Sequence, residues 1–267
     1  MYAFAYHHPT SLKEAAGLLA KDADAKIVAG GHTLLPTMKQ RLAAPGSLVD
    51  LARVPDLAGI ERTPRAVTIG AMATHAMVAD SAEIREAIPA LTELAALIGD
   101  PAVRHRGTIG GSVANNDPAA DYPAACLALG ATIGTNKRKI AAEDYFTGLF
   151  ETALEEGEIV TSVSFPIPHK AAYEKFRNPA SRYALVGVFV AKRPSDIRVT
   201  VTGAGSNGVF RWTEAEEALA KRFSPKSLDG LSASPANLNS DLHADAAYRA
   251  HLIGVMARRA VQKAADR

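Results

Sequence analysis

A pair of glycines between an apolar segment and an amphipathic one is the feature that most constrains this fold. Residues 26–29 are predicted to form a buried strand, Gly30 and Gly31 follow it, and residues 34–42 are predicted to form a helix. A second strand is predicted over residues 48–51. This β-loop-α-β order predicts a small α/β unit at the start of the chain.

The same glycine pair suits an anion-binding turn. Glycine adopts positive φ and lets the backbone approach a ligand closely, and successive free amides form a concave site for anions. We predict that Thr33 caps the following helix, whose dipole would add to the attraction for phosphate. No Gly-Lys-Ser/Thr sequence follows, so the segment is not a nucleoside-triphosphate P-loop. A plain tight turn explains the segment equally well when it is considered alone.

A second glycine pair, Gly110-Gly111, lies within residues 99–122, which are rich in Gly, Pro, Asn and Asp. This stretch has no helical or strand periodicity, which predicts a long loop, and a loop of this length is usually functional or disordered. Thr108 and Ser112 flank the pair with hydroxyls that can donate to phosphate or ribityl oxygens. Two separate glycine nests suit a ligand with two phosphates.

Asp121 opens an apolar segment that is predicted to be helical as far as Leu129. Its carboxylate has two interpretations: it accepts from sugar hydroxyls of a ligand, or it only caps the helix. Cys126 lies in this segment and is the only cysteine of the chain. The chain therefore has no internal disulfide and cannot hold an iron–sulfur cluster on several thiolates. We predict that Cys126 is a small buried core residue.

Strand patterns followed by two helices occupy the last hundred residues. The strands are predicted over residues 172–176, 184–191 and 197–202, and the final helix over residues 244–264. The other helix is predicted to begin at Thr213, whose spacing to Glu216 is that of a capping box.

Residues 203–208 match the dinucleotide-binding pattern G-x-G-x-x-G. A Rossmann loop must run directly into a helix, but the next residues, Val-Phe-Arg-Trp, prefer a strand. Asn207-Gly208 is a typical hairpin-turn dipeptide. The segment is therefore predicted to be a hairpin and not a nucleotide site.

Charge and hydropathy exclude two classes of partner. The chain has 30 Lys and Arg against 28 Asp and Glu, a net charge of +2, and no basic stripe. Nucleic-acid binding is therefore not expected. The longest apolar run, residues 184–191, is too short to span a membrane, and the first residues lack the pattern of a signal peptide.

No catalytic or metal-binding residue is predicted. The adjacent His7 and His8 would point to opposite sides of a strand and lack a third ligand, so a surface position is expected. No order of Ser, His and Asp indicates a triad. A basic group is predicted to form a solvated face, with contact to a bound anion as the alternative: Lys170, Lys175, Arg177 and Arg182.

Taken together, the two glycine motifs resemble the flavin signatures of the FAD-binding medium subunit of molybdenum hydroxylases. That family includes aerobic carbon monoxide dehydrogenase, xanthine dehydrogenase and nicotine dehydrogenase. The matching segments are AGGHTLLP and RGTIGGSVANNDPAADYPAA. The resemblance continues in order along nearly the whole chain through DYFTGLFET, YEKFRNPASRYALVGV, TGAGSNGVFRWTEAE and DLHADAAYR.

The resemblance implies an α+β fold made of three parts. Two α/β subdomains, residues 1–54 and 55–168, would clasp FAD in a fold of the vanillyl-alcohol-oxidase (PCMH) type. Residues 169–267 would form a C-terminal α+β domain.

The resemblance also implies which residues contact FAD. The first pyrophosphate loop corresponds to Ala29, Gly30, Gly31, His32 and Thr33. The second corresponds to Thr108, Ile109, Gly110, Gly111 and Ser112. Asp121 matches an acidic residue that contacts FAD, and Lys175 and Tyr183 match positions whose side chains approach the flavin. Arg182 departs from the acidic or small residue of many members, so the family's account of the flavin edge does not transfer there.

The implied function is that of an oxidoreductase subunit that relays electrons. In the family, substrate is oxidised at a molybdenum cofactor in a large subunit. Electrons then cross two 2Fe–2S clusters in a small subunit and reach FAD, which passes them to a quinone, O₂ or NAD⁺. The resemblance further implies a dimer of heterotrimers and a cytoplasmic location, with peripheral attachment of the complex to the inner face of the membrane as an alternative.

Two other functions remain open at this point. A scaffold that has lost its flavin has little reason to keep glycines in both nests. A stand-alone flavin oxidase would need a substrate domain with its own catalytic residues, and the sequence shows none.

Overall fold

The computed structural model describes all 267 residues of the chain. Its first unit contains a three-stranded parallel sheet in the order β1-β3-β2. The elements are β1 (Ala5–His7), α1 (Leu12–Lys21), β2 (Lys26–Val28), α2 (Leu34–Lys39) and β3 (Ser47–Asp50). The predicted strand-loop-helix-strand order is confirmed. Strand β1 is absent from the sequence prediction because its short, mostly exposed segment shows no apolar alternation.

The second unit is built on a five-stranded antiparallel sheet in the order β4-β5-β10-β6-β7. Its strands are β4 (Ile60–Arg62), β5 (Ala66–Gly70), β6 (Thr132–Thr135), β7 (Lys139–Ala141), β8 (Phe146–Gly148), β9 (Glu151–Thr152) and β10 (Val160–Pro166). Its helices are α3 (His75–Asp80), α4 (Ala82–Ala87), α5 (Pro89–Ala96), α6 (Pro101–Arg106), α7 (Ile109–Asn115), α8 (Tyr122–Leu129) and α9 (Ala142–Tyr145). Strands β8 and β9 form a separate small hairpin.

The third unit is a four-stranded antiparallel sheet in the order β11-β12-β13-β14. Its elements are β11 (Lys170–Arg177), β12 (Ala184–Lys192), β13 (Ile197–Thr202), β14 (Phe210–Arg211), α10 (Thr213–Lys221) and α11 (Ala246–Ala265). Helix α11 packs along β11 and β12. The three longer strands and both helices confirm the sequence prediction for this region.

Helix α8 joins the second unit to the third. All eight of its residues are buried, as expected for a helix that is apolar on every side. It packs against β12 and β13, and its residues share one core of 32 buried residues with Tyr173 and Phe189 of the third sheet. Cys126 lies in this core, where burial raises the pKa of its thiol, so the predicted core position is confirmed.

The prediction of a long loop over residues 99–122 is wrong. The stretch contains α6 and α7, each too short for a helical period to be visible in the sequence. Asp100 caps α6, and Thr108 caps α7 by accepting from the amide of Gly111. The glycine and asparagine residues of this stretch therefore belong to two short capped helices and their connections, and not to an irregular loop.

The segment that imitates a dinucleotide-binding loop is a hairpin connection, as predicted. Strands β13 and β14 pair antiparallel on either side of it, and Gly203 and Gly208 both have positive φ, 82° and 95°. The capping box predicted at Thr213 is wrong. The side chain of Glu216 turns back to the sheet, where it accepts from Arg211 Nη2 at 2.6 Å and from the Val199 amide at 3.0 Å. A partly buried ion pair with Arg211 outcompetes the local cap.

Candidate cofactor-binding site

A cavity of about 800 Å³ lies between the three units. Its walls come from the end of β2, from α7, from β10 and from residues 181–183 that connect β11 to β12. Pockets for small molecules and cofactors occupy roughly 300–1,000 Å³ and bury most of the ligand. The cavity therefore has the size of a cofactor site.

Most of the predicted site residues line this cavity. They are Ala29, Gly30, Gly31, His32, Thr33, Thr108, Gly110, Gly111, Ser112, Asp121 and Tyr183. The two exceptions, Ile109 and Lys175, have buried side chains outside the lining. Segments that lie some eighty residues apart in the sequence thus come together around one space, as predicted.

The loop between β2 and α2 presents a row of free donors to the cavity. The backbone amides of residues 29–33 donate to no acceptor within the protein. Gly31 has a φ of 74°, in the left-handed region that glycine tolerates. The predicted cap at Thr33 is wrong, because its side chain accepts no bond from the helix. The loop nevertheless has the free amides of an anion nest.

The second glycine pair does not form a similar nest, contrary to the prediction. Gly110 and Gly111 lie in the first turn of α7, and neither has positive φ. The amide of Gly110 donates to the carbonyl of Ala71, and the amide of Gly111 donates to the Thr108 hydroxyl at 3.1 Å. Since the protein uses these amides and that hydroxyl itself, the cavity has one row of free amides and not two.

The second glycine pair contributes to the cavity because glycine has no side chain. A Cβ atom on Gly110 would lie 2.4 Å from the Cβ of Ala71, so glycine is required for α7 to pack on the sheet. A Cβ atom on Gly111 would meet only the Thr108 hydroxyl at 2.9 Å and the Cβ of Ala29 at 4.0 Å. Gly111 therefore keeps the cavity open beside the first loop.

The two glycine segments touch directly at Gly30. A Cβ atom there would lie 2.1 Å from the backbone oxygen of Arg106 and 2.8 Å from Cα of Gly107. Only glycine permits this approach of two backbones. The contact fixes the first unit against the second on one side of the cavity.

Asp121 forms a buried polar cluster with two side chains of β11. Its carboxylate accepts from Lys175 Nζ at 2.9 Å and from the Tyr173 hydroxyl. The side chains of Asp121 and Lys175 are 4% and 1% exposed. Burial raises the pKa of Asp121, although the charge of Lys175 and the hydrogen bonds from Lys175 and Tyr173 act in the opposite direction.

This cluster corrects two predictions. Asp121 does not cap α8 with its side chain, because the carboxylate turns towards β11. Lys175 does not belong to a solvated face, whereas Arg177 and Arg182 are exposed. The alternation along β11 places residues 173 and 175 on the same side of the strand, which is the signal from which the sequence could have predicted the pair.

His75 is a cavity residue that the sequence analysis missed. It begins α3, it is 5% exposed, and its Nδ1 atom has no hydrogen-bond partner. Burial lowers its pKa to about 4, with the charges of His32 and Arg104 acting in the same direction. The ring is therefore neutral at pH 7. A single histidine within an amphipathic stretch gives no sequence signal for such a position.

Arg182 and Tyr183 border the cavity on the side of the third unit. Arg182 has a φ of 63° and its Nη1 atom donates to the carbonyl of Gly99 at 3.3 Å. Tyr183 is 47% exposed. Burial and the carboxylates of Asp117 and Asp121 raise the pKa of its hydroxyl, so Tyr183 is neutral at pH 7.

Glu158 also lines the cavity, from the loop that precedes β10. Its fully buried side chain accepts two hydrogen bonds from Arg138 at 3.1 Å, one from the Thr135 hydroxyl at 2.7 Å and one from the amide of Glu155 at 2.8 Å. These bonds, with Arg138 as the largest contributor, lower the pKa of Glu158 to about 2.

Replacing Glu158 with glutamine is expected to remove a pH-dependent part of the stability. The native carboxylate has a depressed pKa, so its contribution is complete above the ordinary glutamate pKa near 4.5 and is lost as the pH falls towards about 2. At pH 7 we expect a loss of about 1.5–3 kcal/mol, the value of a hydrogen bond to a charged group. Urea unfolding of both proteins between pH 7 and pH 3 gives the difference in their free energies of unfolding. The same difference at every pH would contradict the prediction.

Two protein-family models together match nearly the whole chain. Residues 2–168 match the family described as the FAD binding domain in molybdopterin dehydrogenase. Residues 171–264 match the CO dehydrogenase flavoprotein C-terminal domain. The chain belongs to this family. It is an FAD-binding subunit of the molybdenum hydroxylase type.

Individual members of the family align over the whole chain. The carbon monoxide dehydrogenase medium chain of Afipia carboxidovorans is 38% identical over 280 residues, 99% of this chain and 97% of that protein. The nicotine 6-hydroxylase medium subunit of Paenarthrobacter nicotinovorans is 35% identical over 279 residues, 99% and 98% of the two chains. Reconstituted CO dehydrogenase from Oligotropha carboxidovorans superposes with a TM-score of 0.90 at 36% identity, covering 100% of this chain and 99% of that one.

These comparisons confirm the predicted family, its α+β PCMH-type fold, FAD as the cofactor and an oxidoreductase function. Relatives named as medium chains or subunits belong to multisubunit enzymes, so partner subunits are implied for this chain. None of its helices combines the length and the apolar character needed to cross a bilayer.

Proposed function

We propose that this chain binds FAD in the cavity between its three units and relays electrons to it from an iron–sulfur subunit. A large subunit with a molybdenum cofactor would complete the enzyme, and two such heterotrimers would form a dimer. The observation that carries the assignment is the row of free amides over residues 29–33, which lies in the cavity between a strand and a helix. Free amides in that setting bind phosphate.

The residues of the cavity fit FAD. The amides of the first loop would hold the pyrophosphate, and Gly111 would leave room for it beside Ala29. The carboxylate of Asp121, fixed by Lys175 and Tyr173, would accept from a ligand hydroxyl with its remaining lone pairs.

The chain's own contribution is binding and orientation. When bound, FAD supplies the exchange between one-electron and two-electron transfer, which no side chain can perform. Buried His75 lines the cavity, and its ring packs 5.5 Å from the ring of Tyr122. A neutral histidine there adds no charge. The ammonium group of Lys175 compensates the carboxylate that faces the cofactor. Packed, largely apolar walls exclude water from the bound ligand.

The division of labour explains why relatives with similar sequences carry different substrate names. Carbon monoxide, nicotine and glyceraldehyde appear in the names of proteins that are 38%, 35% and 30% identical to this chain. We therefore assign substrate selection to the large subunit. A quinone, O₂ or NAD⁺ would accept the electrons from the flavin.

The isolated chain is expected to bind FAD and to oxidise no substrate of the complete enzyme. Its single cysteine is buried in the core, so no iron–sulfur relay exists within the chain. Dithionite should still reduce the bound flavin, which absorption spectra will show. Addition of the iron–sulfur and molybdenum subunits should then restore substrate-dependent flavin reduction. Substrate oxidation by the chain alone, at a rate comparable with that of the complex, would contradict the relay function.

A further inference from the structure

Alternate side chains on one face of β13 donate to backbone carbonyls of α8 and of the turn before it. All three donors are buried, and their spacing of two residues is that of a single strand face. The bonds run from Arg198 Nη1 to Leu127 at 2.9 Å, from Thr200 Oγ1 to Ala124 at 2.7 Å and from Thr202 Oγ1 to Ala120 at 2.6 Å. Since α8 is apolar on every side, hydrophobic contacts do not distinguish one of its sides from another. The polar bonds from β13 therefore fix its position on the third sheet.

The last bond of this series reaches the wall of the cavity. Residues 117–121, here called the carboxylate turn, have an aspartate at each end, and both aspartates line the cavity. Thr202 bonds to the carbonyl of Ala120, which also lines the cavity. The amide of the next residue, Gly203, donates to the carbonyl of Pro118 at 2.9 Å. The end of β13 thus holds the carboxylate turn by two of its carbonyls.

The third sheet holds the same turn at a second point. Lys175 of β11 lies opposite Gly187 of β12, which lies opposite Thr202 of β13. These three residues form one row across the sheet. At one end of the row Lys175 bonds to the carboxylate of Asp121, and at the other end Thr202 bonds to the backbone of the turn. The row therefore fixes both the backbone and a carboxylate of the turn.

Gly187 in the middle of the row leaves the space that these bonds need. Glycine inside a strand weakens it and often marks a close approach of other groups, and Gly187 has no positive φ that would require glycine. A Cβ atom on it would lie 2.2 Å from the Tyr173 hydroxyl and 2.9 Å from Cγ2 of Thr202. The Tyr173 hydroxyl donates to Asp121. A side chain at position 187 would therefore displace two groups that hold the carboxylate turn.

We propose that Thr202 and Gly187 are positioning residues for FAD. They set the place of the carboxylate turn and, through it, the place of the two carboxylates that face the cofactor. The inference rests on the proposed function, because it requires FAD to occupy this cavity. Neither residue lines the cavity, so both act through the turn and not by contact with the ligand. The third unit then determines FAD affinity by holding a segment of the second.

The test removes the Thr202 hydroxyl with Thr202→Val, which keeps the shape of the side chain. In FAD-free protein the carboxylate turn then leaves its native position, and binding must restore it. We expect the Kd of the full chain for FAD, measured by quenching of flavin fluorescence, to rise at least about ten-fold, the equivalent of one buried hydrogen bond. Thr202→Ser retains a hydroxyl donor and should return the Kd close to that of the unmodified chain.

Thr200→Val is the matched control. Thr200 is as fully buried as Thr202, and it donates to Ala124, which does not line the cavity. Both valine variants should lower the Tm by a similar amount, since each removes one hydrogen bond from a buried carbonyl. Only Thr202→Val should raise the Kd for FAD and change the visible circular dichroism of the bound flavin.

Gly187→Ala provides a second variant that leaves Thr202 unchanged. The added methyl group should push the Tyr173 hydroxyl away from Asp121, so the Kd for FAD should rise as it does in Thr202→Val. A Kd equal to that of the unmodified chain would show that the space at Gly187 has no effect on the cofactor site.

The outcomes separate this inference from the proposed function. If the unmodified chain binds no FAD, both fail. If the unmodified chain binds FAD and Thr202→Val binds it equally well, only the positioning role is wrong. An equal rise in Kd for Thr200→Val and Thr202→Val would assign the effect to a general loss of stability and would also overturn the inference.

Discussion

Protein carrying Gly111→Val is expected to fold and to purify without FAD. A valine side chain at this position meets little of the protein beyond the Thr108 hydroxyl, which must shift slightly. The added methyl groups instead enter the space beside Ala29, where the proposed pyrophosphate lies. We expect loss of almost all visible flavin absorption, with a far-ultraviolet circular dichroism spectrum like that of the unmodified chain.

Two matched glycine variants distinguish ligand exclusion from misfolding. Gly110→Val would place its Cβ atom 2.4 Å from Ala71, so this protein should be strongly destabilised whether or not FAD is present. Gly17, on α1, has no atom within 4 Å of its added Cβ, so Gly17→Val should retain FAD. A full flavin complement in Gly111→Val protein would show that the pyrophosphate lies elsewhere.

Lys175→Met is expected to destabilise the chain by about 3–5 kcal/mol, the usual cost of leaving one charge of a buried ion pair without its partner. Asp121 would keep the Tyr173 hydrogen bond but lose its compensating charge, which should raise the pKa of the carboxyl further. Chemical unfolding of FAD-free protein at pH 7 measures the loss without interference from ligand binding.

The double variant Asp121→Asn/Lys175→Met serves as the control. It removes both charges and keeps similar volumes, so it should recover most of the lost stability. It should still bind FAD more weakly than the unmodified chain, by about ten- to a hundred-fold, because a ligand contact is altered. If Lys175→Met alone unfolds at the same denaturant concentration as the unmodified chain, the ion pair contributes nothing to the fold.

The sequence predicted those parts of the fold in which a local pattern is long enough to be read. Strands over residues 184–191 and 197–202 were found because apolar and β-branched residues dominate both segments. Helices α6 and α7 were missed because six or seven residues do not complete two helical turns. Strand β1 was missed because its three residues are mostly exposed and show no apolar alternation.

The sequence predicted which segments form the site, but not how their individual groups are used. Glycines mark places where backbone must come close, so both glycine segments were correctly placed at one cavity. Their functions differ, however, since the amides of Gly110 and Gly111 already donate within the protein. Whether a given amide is free depends on tertiary contacts such as that with Ala71. The same limitation applies to Asp121, which the sequence placed at a helix start but which bonds with β11. The assignment of individual residues to FAD, and the three domain boundaries, remain predictions.

The separation of the hydrophobic cores has a consequence for how a cofactor enters. The second and third units share 32 buried residues through α8, whereas the first unit contributes to clusters of only seven and three. Small cores open at lower free energy than large ones. The first unit, with its row of free amides, is therefore the part whose backbone hydrogens should exchange fastest. A dinucleotide bound between the first and second units would stabilise their contact. Hydrogen exchange in residues 26–50 should therefore become slower when the dinucleotide binds.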